Sequence, residues 1–181
     1  LFEEETTSLD NSPQVQIFAT DMDAEALDCA RRGLFSEAAV EQVSTARLER
    51  FFFRRGTSYE VSEELRSMCV FSPHDLIKDP PFSRLDLISC RNLLIYFEAE
   101  LQKKLLPLFH YALNPSGFLF LGPAENIASR SELFRTIDKK HRLFQRQPTV
   151  LRNASVPLIE PGRAVRPLAP ISGTAPPRRA G

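Results

Sequence analysis

The sequence predicts an α/β fold in which helices alternate with the strands of a largely parallel sheet. Short apolar runs typical of buried strands recur along the chain, at 15–20, 85–90 and 118–122. Stretches of helical composition separate them, and strands that alternate with helices at this spacing form parallel sheets. The 181 residues suit one such domain with a tail, and 43% apolar residues are enough to build a core.

The first strand is predicted at "VQIFAT", residues 15–20. Asp23 is well placed to cap the helix that follows, and Gly33 is placed to end it. A second helix is predicted from about Ser36 to Phe52, where apolar and charged residues alternate in "EAAVEQVSTARLERFF".

The middle of the chain predicts two further strands and a long helix. The stretch 54–76 contains a glycine turn, a short strand pair and a strand near 67–71. "LDLISC", residues 85–90, is nearly all apolar, which is typical of a strand covered on both faces. Residues 98–113 have helical periodicity, and Pro107 is expected to kink that helix.

Three elements are predicted to complete the domain. "NPSG" ends the long helix, and "FLFLG", residues 118–122, forms another buried strand. "SELFRTI", residues 131–137, is predicted to be a short helix. "HRLFQR", residues 141–146, is amphipathic and suits an edge strand.

Composition narrows the class of protein. Lys and Arg balance Asp and Glu at 23 each, so no nucleic-acid partner is indicated. The sequence has no apolar run long enough to span a membrane and no signal peptide at its start. The three cysteines are scattered without a CxxC pair, so we expect reduced thiols in a cytoplasmic protein. The three histidines are also far apart, so no metal site is expected. Domain 1–147 is predicted to be followed by a disordered linker at 148–181, which holds seven of the 14 prolines.

Polar residues follow the predicted strands, namely Asp21, Asp75, Arg91 with Asn92, and Gly122. Ligands of α/β sheets bind beyond the carboxyl ends of the strands, so we expect these residues to border a site. Asp21 can accept hydrogen bonds from two ribose hydroxyls, each worth about 1.5–3 kcal/mol. Alternatively, Asp21 or Asp23 serves only to cap the next helix.

The other candidates also have two interpretations each. Asp75 can accept from the exocyclic amine of an adenine, or it can satisfy the backbone amides of a local turn. Arg91 faces a polar ligand, or it forms a structural salt bridge at the strand end. Tyr96 is a packing residue, or it lies one helical turn from Asn92 and shares its face.

Several common sites are not indicated. All seven glycines are isolated, so the sequence contains neither GxGxxG nor a P-loop, and a dinucleotide-dependent oxidoreductase is not favoured. It contains no GxSxG, and no Cys–His pair indicates a nucleophile.

Four motifs in this order and spacing resemble the C-terminal part of the CheR-type methyltransferases. They are "IFATDMDAEALDCARRGLF", "VFSPHDLI", "LDLISCRNLLIYF" and "NPSGFLFLGPAENI". The resemblance runs from about Val15 to Arg146, and "CRNLLIYF" is its most specific element. It implies a Rossmann-like class I sheet and transfer of a methyl group from S-adenosylmethionine to glutamates of chemoreceptors, with S-adenosylhomocysteine as the product.

The resemblance also implies which residues hold the cofactor. Asp21 is expected to bind the ribose hydroxyls, while Asp75 and Leu76 border the adenine. Asn92 and Leu93 are expected to line the methionine side of the cofactor. The family usually has Asn where Asp75 stands, although a carboxylate can still accept from the adenine amine.

On the substrate side, the resemblance places Arg91 and Tyr96 against the glutamate, as the catalytic pair. A glutamate has a pKa of about 4.3 and is already a nucleophile at neutral pH, so no general base is needed. Such a site holds the two reactants in line and excludes water. The implied partners are the cytoplasmic domains of chemoreceptors.

The two ends of the chain bear on the expected methyltransferase domain. The chain starts at "LFEEETTSL" without Met and without the glycine-rich loop of the family, which predicts an N-terminally truncated domain with unpaired strand edges. The ending and the Pro-rich tail resemble hybrid proteins in which this domain is fused to methylesterase and PAS domains. The alternative to an enzyme is a non-catalytic signalling or docking module with a degenerate methyltransferase fold.

Overall fold

The computed structural model describes residues 2–6 and 13–148, and the predicted linker from residue 149 onward lies outside them. The helices in this part of the chain are α1 (Phe2–Thr6), α2 (Ala24–Arg32), α3 (Glu37–Val40), α4 (Thr45–Phe51), α5 (Glu63–Ser67) and α6 (Ala99–Ala112). The strands are β1 (Ile17–Asp21), β2 (Leu34–Ser36), β3 (Phe52–Arg55), β4 (Ser58–Val61), β5 (Cys69–Pro73), β6 (Leu85–Cys90), β7 (Leu113–Leu121), β8 (Phe134–Asp138) and β9 (Leu143–Arg146).

The strands form an α/β arrangement of three sheets. β1 pairs with β5 in parallel, and β6 pairs with β7 in parallel. On its other side β7 pairs with β9 in antiparallel fashion, and β9 pairs with β8, so the sheet has the order β6–β7–β9–β8. Strands β2, β4 and β3 form a small antiparallel sheet in that order. Parallel pairing is thus confined to β1–β5 and β6–β7. In the described part of the chain, β1 pairs only with β5 and β6 only with β7, so each has one unpaired edge.

The first helix of the sheet forms as its end residues predict. The Asp23 carboxylate accepts hydrogen bonds from the amides of Glu25 and Ala26 at 2.9 and 3.1 Å. Gly33 ends α2 with a φ of 64°, a left-handed conformation that glycine adopts without steric cost. The capping prediction for Asp23 is therefore confirmed.

The single helix predicted from about Ser36 to Phe52 is wrong. Ser36 caps the short α3 by accepting from the Ala39 amide at 3.3 Å, and a turn separates α3 from α4. Serines favour helix starts, and Ser44 likewise occupies the N-cap position of α4. The residues just before Glu37 form β2, which pairs with β4 and was not predicted.

The last two predicted elements also need correction. Residues 131–137 do not form a helix, because Phe134–Asp138 is strand β8 in a hairpin with β9. β9 is not an edge strand either, since it pairs with β7 on one side and β8 on the other. β9 is hydrogen-bonded on both sides, and β8 is hydrogen-bonded to β9 alone. Sequence periodicity does not reveal either pairing.

The main core lies between α6 and the β6–β7–β9–β8 sheet. Its fully buried members include Leu94, Leu105, Leu113, Leu119 and Leu121. β6 was expected to be covered on both faces, but Leu87 is 38% exposed, and Ser89 on the same face is also exposed. One face of this strand is therefore open in the described structure.

Helix α6 runs through Pro107. Proline has no amide hydrogen, so the carbonyl of Lys103, four residues earlier, lacks its helical donor. The Nε of Arg130 donates to that carbonyl at 3.4 Å instead. Arg130 therefore replaces the hydrogen-bond donor that Pro107 cannot supply to the Lys103 carbonyl. Among the described helices, including this one of 14 residues, none is both long and apolar enough to cross a lipid bilayer.

Helix α1 is held by a salt bridge to a distant helix. The Arg47 guanidinium on α4 donates to both carboxylate oxygens of Glu4, at 2.7 to 3.1 Å. This hydrogen-bonded pair lowers the pKa of Glu4 to about 2. The segment 2–6 is thereby attached to the rest of the described chain.

Candidate functional site

At the end of β1, Asp21 lies beside the end of β5. Its register partner is Pro73, and its carbonyl accepts from the His74 amide at 3.2 Å. The Oδ1 of Asp21 accepts from the Asp23 amide at 3.0 Å. None of the described hydrogen bonds uses its Oδ2, and the side chain is exposed, so one carboxylate oxygen remains available to a ligand.

Asp75 closes a local turn just after β5. Its Oδ1 accepts from the amides of Ile77 and Lys78 at 2.9 and 3.3 Å, and these bonds lower its pKa. Its Oδ2 lies 3.3 Å from the Nζ of Lys78, which is largely exposed. The turn interpretation thus accounts for Oδ1, while Oδ2 keeps room for a further donor. The neighbouring Leu76 is half-buried and packs against the core cluster.

Arg91 extends from the carboxyl end of β6 over the neighbouring strand. Its guanidinium carbon lies 4.7 Å from the centre of the Phe120 ring on β7, a cation–π arrangement. Among the described residues it has no carboxylate partner, so the structural salt bridge that the sequence left open is not formed there. The side chain is exposed. Its charge is available to an anion.

Asn92 begins a tight loop at the same strand end. Its φ of 59° is left-handed, a conformation that Asn tolerates better than most residues with a Cβ. It lies against Gly122, where an added Cβ would be 2.7 Å from the Asn92 Oδ1 and 2.9 Å from its amide nitrogen. Position 122 therefore requires glycine, because the ends of β6 and β7 approach each other closely there.

Glu125 joins these two strand ends. It is only 3% exposed, and its Oε1 accepts from the amides of Leu93 and Leu94 at 2.9 and 2.7 Å. Its Oε2 accepts from the amides of Asn92 and Gly122 at 3.1 and 2.6 Å. Four amide donors thus compensate for the burial of one carboxylate, which shows no ion pair in the described structure.

Tyr96 belongs to a 3-10 helix, Leu94–Tyr96, and is 69% exposed. The expectation that it shares a helical face with Asn92 is wrong, because Asn92 is left-handed and lies outside that helix. The Nε2 of Gln102 on α6 donates to the carbonyls of Leu94 and Phe97 at 2.9 and 3.0 Å. Gln102 therefore fixes the far end of the same loop.

Cys90 is the last residue of β6 and is buried. Burial raises the pKa of its thiol to about 12, and the negative charge of Glu125 adds to the effect. The thiol therefore stays protonated at neutral pH and is not a nucleophile. In the part of the chain that the structure describes, no three His, Cys, Asp or Glu side chains are grouped to hold a metal ion.

A cavity of about 670 Å³ lies away from these strand ends. Its lining includes Cys69 and Phe71 of β5, and therefore the amino-terminal part of that strand. The rest comes from α2, α5 and the β3–β4 hairpin, with three arginines and two glutamates. The cavity is therefore not formed by the residues that the sequence indicated.

The structure brings together Arg91, Asn92, Leu93 and Gly122 at one pair of strand ends, and Asp21 and Asp75 at the other. No described hydrogen bond joins the two groups. Glu125 and Gln102 were not predicted. A lone acid in "GPAENI", just after a strand, resembles a turn residue, and only the fold shows which amides it meets.

The model of the CheR methyltransferase, SAM binding domain, matches residues 2–143. A relative from Rhodobacter capsulatus, the "Uncharacterized 104.1 kDa protein in hypE 3'region", is 40% identical over 148 residues, which are 82% of this chain and 15% of that protein. Chemotaxis protein methyltransferase 2 of Pseudomonas aeruginosa is 38% identical, covering 69% of this chain and 47% of its own. The protein of the same name from Vibrio cholerae is 33% identical, covering 66% and 43%.

This chain therefore spans less than half the length of each of these relatives. The family implies S-adenosylmethionine as the cofactor, and the residues present fit it in part. Asp21 offers a carboxylate oxygen suited to a ribose hydroxyl, and Leu93 offers an exposed apolar side chain beside the Asn92 amide group. The match over residues 2–143 shows that the chain belongs to the CheR family of S-adenosylmethionine-binding methyltransferases.

Proposed function

We propose that this chain is the cofactor-binding part of a protein-glutamate O-methyltransferase that esterifies glutamate side chains of chemoreceptors. The observation that carries the proposal is Arg91, an exposed guanidinium at the β6 end that rests on Phe120 at 4.7 Å and has no carboxylate partner in the described structure. A guanidinium in this state can bind a substrate carboxylate with two parallel hydrogen bonds.

The proposed cofactor residues are those that the family resemblance implies, and their positions at the two pairs of strand ends are compatible with it. Asp21 holds the ribose through Oδ2, and Asp75 with Leu76 borders the adenine, where Asp75 contributes through Oδ2 because Oδ1 is used in the turn. Asn92 and Leu93 line the methionine part. When bound, S-adenosylmethionine supplies an electrophilic methyl group.

The substrate residues need only bind, orient and exclude water. A glutamate with a pKa of about 4.3 is ionised at neutral pH, so no residue of the chain has to remove a proton. Arg91 orients this carboxylate, and Tyr96 donates a second hydrogen bond from its hydroxyl. Because opposite charges are neutralised in the reaction, a site of low dielectric favours the ester.

The proposed partners are those that the family resemblance implies. The substrate is the cytoplasmic domain of a chemoreceptor, and the reaction takes place in the cytoplasm. The names of the Pseudomonas aeruginosa and Vibrio cholerae relatives support a role in chemotaxis. Fusion to methylesterase and PAS domains is part of the proposal. The Rhodobacter capsulatus relative, of which the matched region is only 15%, supports no more than the occurrence of such a region within a much longer protein.

Methyl transfer to a purified receptor domain tests the proposal. We expect the protein at its natural length to transfer a labelled methyl group that alkali releases as methanol, as a methyl ester requires. Arg91→Ala is expected to lower turnover at least tenfold, equivalent to about 1.4 kcal/mol or more of transition-state stabilisation. Arg32→Ala, an exposed arginine in the last turn of α2, is the matched control and should be near normal.

One result would count against the role of Arg91, and another would count against the enzyme. Near-normal turnover in Arg91→Ala would remove Arg91 from the site. Calorimetric titration with S-adenosylhomocysteine provides the second test, in which Asp21→Ala should weaken binding. A folded protein that binds no S-adenosylhomocysteine would favour the non-catalytic docking module instead.

A further inference from the structure

We infer that Glu125 is a positioning residue for methyl transfer, which holds the loop 91–97 in its working shape together with Gln102. Glu125 contacts neither of the proposed catalytic side chains through a described hydrogen bond. It acts through the backbone of Asn92, Leu93 and Leu94, whose three amides it binds at 2.7 to 3.1 Å.

The loop needs such a partner because its own backbone supplies few bonds. The left-handed Asn92 turns the chain away from β6, so the amides of residues 92–94 do not continue the sheet. Buried amides without an acceptor are costly, and one carboxylate satisfies all three of them. The fourth bond, from the Gly122 amide at 2.6 Å, fixes the carboxylate itself to the end of β7.

Gln102 holds the other end of the loop. It binds the carbonyls of Leu94 and Phe97, while Glu125 binds the amides at the start of the loop. A carboxylate can only accept and the amide nitrogen of Gln can only donate, so the two side chains are matched to the two kinds of backbone group. Arg91 is the first residue of the loop 91–97, and Tyr96 lies near its last residue.

The arrangement points to preorganisation rather than packing alone. A reacting pair must be held within about 0.5 Å of the productive geometry, and supporting hydrogen bonds provide that precision. Glu125 lies 31 to 33 residues from the three loop amides and three residues from the Gly122 amide, so it couples the ends of two strands that both border the site. Loss of this carboxylate is expected to disorder the loop while the leucine core remains.

The test compares Glu125→Gln with the unaltered protein at its natural length. The carboxamide keeps the volume but places an NH₂ donor against amide donors, so the loop should loosen. We expect amide hydrogen exchange at residues 92–94 to accelerate at least tenfold, and kcat at saturating cofactor and receptor domain to fall at least tenfold. Gln102→Met, which keeps the length and removes both donor bonds, should lower kcat in the same direction and serves if Glu125→Gln fails to fold.

A matched control separates positioning from general destabilisation. Ser62→Ala removes the cap of α5, where the buried Ser62 hydroxyl accepts from the Leu65 amide at 3.4 Å. It should lower the unfolding midpoint without changing kcat or exchange at residues 92–94. Equal losses of kcat in Ser62→Ala and Glu125→Gln would overturn the positioning role.

Because this inference rests on the proposed function, the outcomes must be told apart. Methyl transfer by the unaltered protein with normal kcat in a folded Glu125→Gln overturns the inference and leaves the function intact. If the unaltered protein transfers no methyl group, the proposed function is wrong. In that case the affinity for S-adenosylhomocysteine tests whether Glu125 positions the loop for the cofactor alone. A tenfold weakening in Glu125→Gln supports that narrower role, and an unchanged affinity overturns it.

Discussion

The guanidinium of Arg91 lies 4.7 Å above the ring of Phe120, on the strand next to its own. This contact provides an alternative to a salt bridge for an arginine at a strand end. An aromatic face attracts the cation but leaves all of its N–H donors free, whereas a carboxylate would occupy them. The arginine is thereby oriented and still able to bind an anionic substrate.

Phe120 should therefore influence turnover through Arg91. Phe120→Leu removes the ring, and an exposed cation–π contact is worth about 0.5–1 kcal/mol, so we expect turnover to fall about two- to fivefold. Steady-state methyl transfer to a receptor domain measures the change. Phe118→Leu makes the same substitution two residues earlier on β7 and is the control, since no cation contact at its ring is described. Equal rates for the two variants would contradict the prediction.

The left-handed backbone of Asn92 provides a second prediction. Asn92→Ala places a residue with a Cβ at a φ of 59°, a conformation that costs roughly 1–2 kcal/mol for most residues. We expect it to lower the free energy of unfolding by about 1 kcal/mol, while Asn92→Gly should leave it near normal. Urea unfolding measures both.

The same pair of variants separates the backbone of Asn92 from its side chain. If the amide side chain lines the cofactor, Asn92→Gly and Asn92→Ala should both weaken the binding of S-adenosylhomocysteine in a calorimetric titration. Normal affinity in the stable glycine variant would show that only the turn is needed at this position.

His110 should make stability depend on pH. Its Nε2 lies 2.9 Å from the carbonyl oxygen of Gln147, which can only accept, so the Nε2 carries a proton. Burial lowers the pKa of His110 below its usual value of 6.5, and the nearby Arg146 adds to the shift. The unfolded chain thus binds a proton more readily than the folded chain, and stability is lost as pH falls through the unfolded value.

Urea unfolding at several pH values between about 7.5 and 5.5 tests this, because the range brackets the usual pKa of histidine. The midpoint of the unaltered protein should fall toward pH 5.5. His110→Gln keeps a neutral donor at all pH values and should show a smaller fall. An identical pH dependence in both proteins would mean that other groups cause it.

The features that the sequence predicted well are those set by neighbouring residues. β1, the second half of β7 and α2 follow from apolar runs and from the end residues Asp23 and Gly33, whose bonds reach only two or three positions along the chain. The first half of β7, residues 113–117, was instead assigned to the end of the preceding helix. The placing of Asp21, Arg91 and Asn92 at strand ends follows from the same local patterns. Local patterns failed at 36–52, where the Ser36 cap and a turn divide the predicted helix, and at 131–137, where pairing of β8 with β9 outweighed helical composition.

The sequence by itself determined the family, the strand-end residues and the chemistry that they can perform, because motif spacing and side-chain type are read along one chain. The tertiary structure decided which of these side chains are free. Arg91 rests on a ring and Asp75 is partly used by a turn. It also assigned Glu125 and Gln102 to one loop, since hydrogen bonds form only between groups that folding brings within about 3 Å, whatever their distance in sequence.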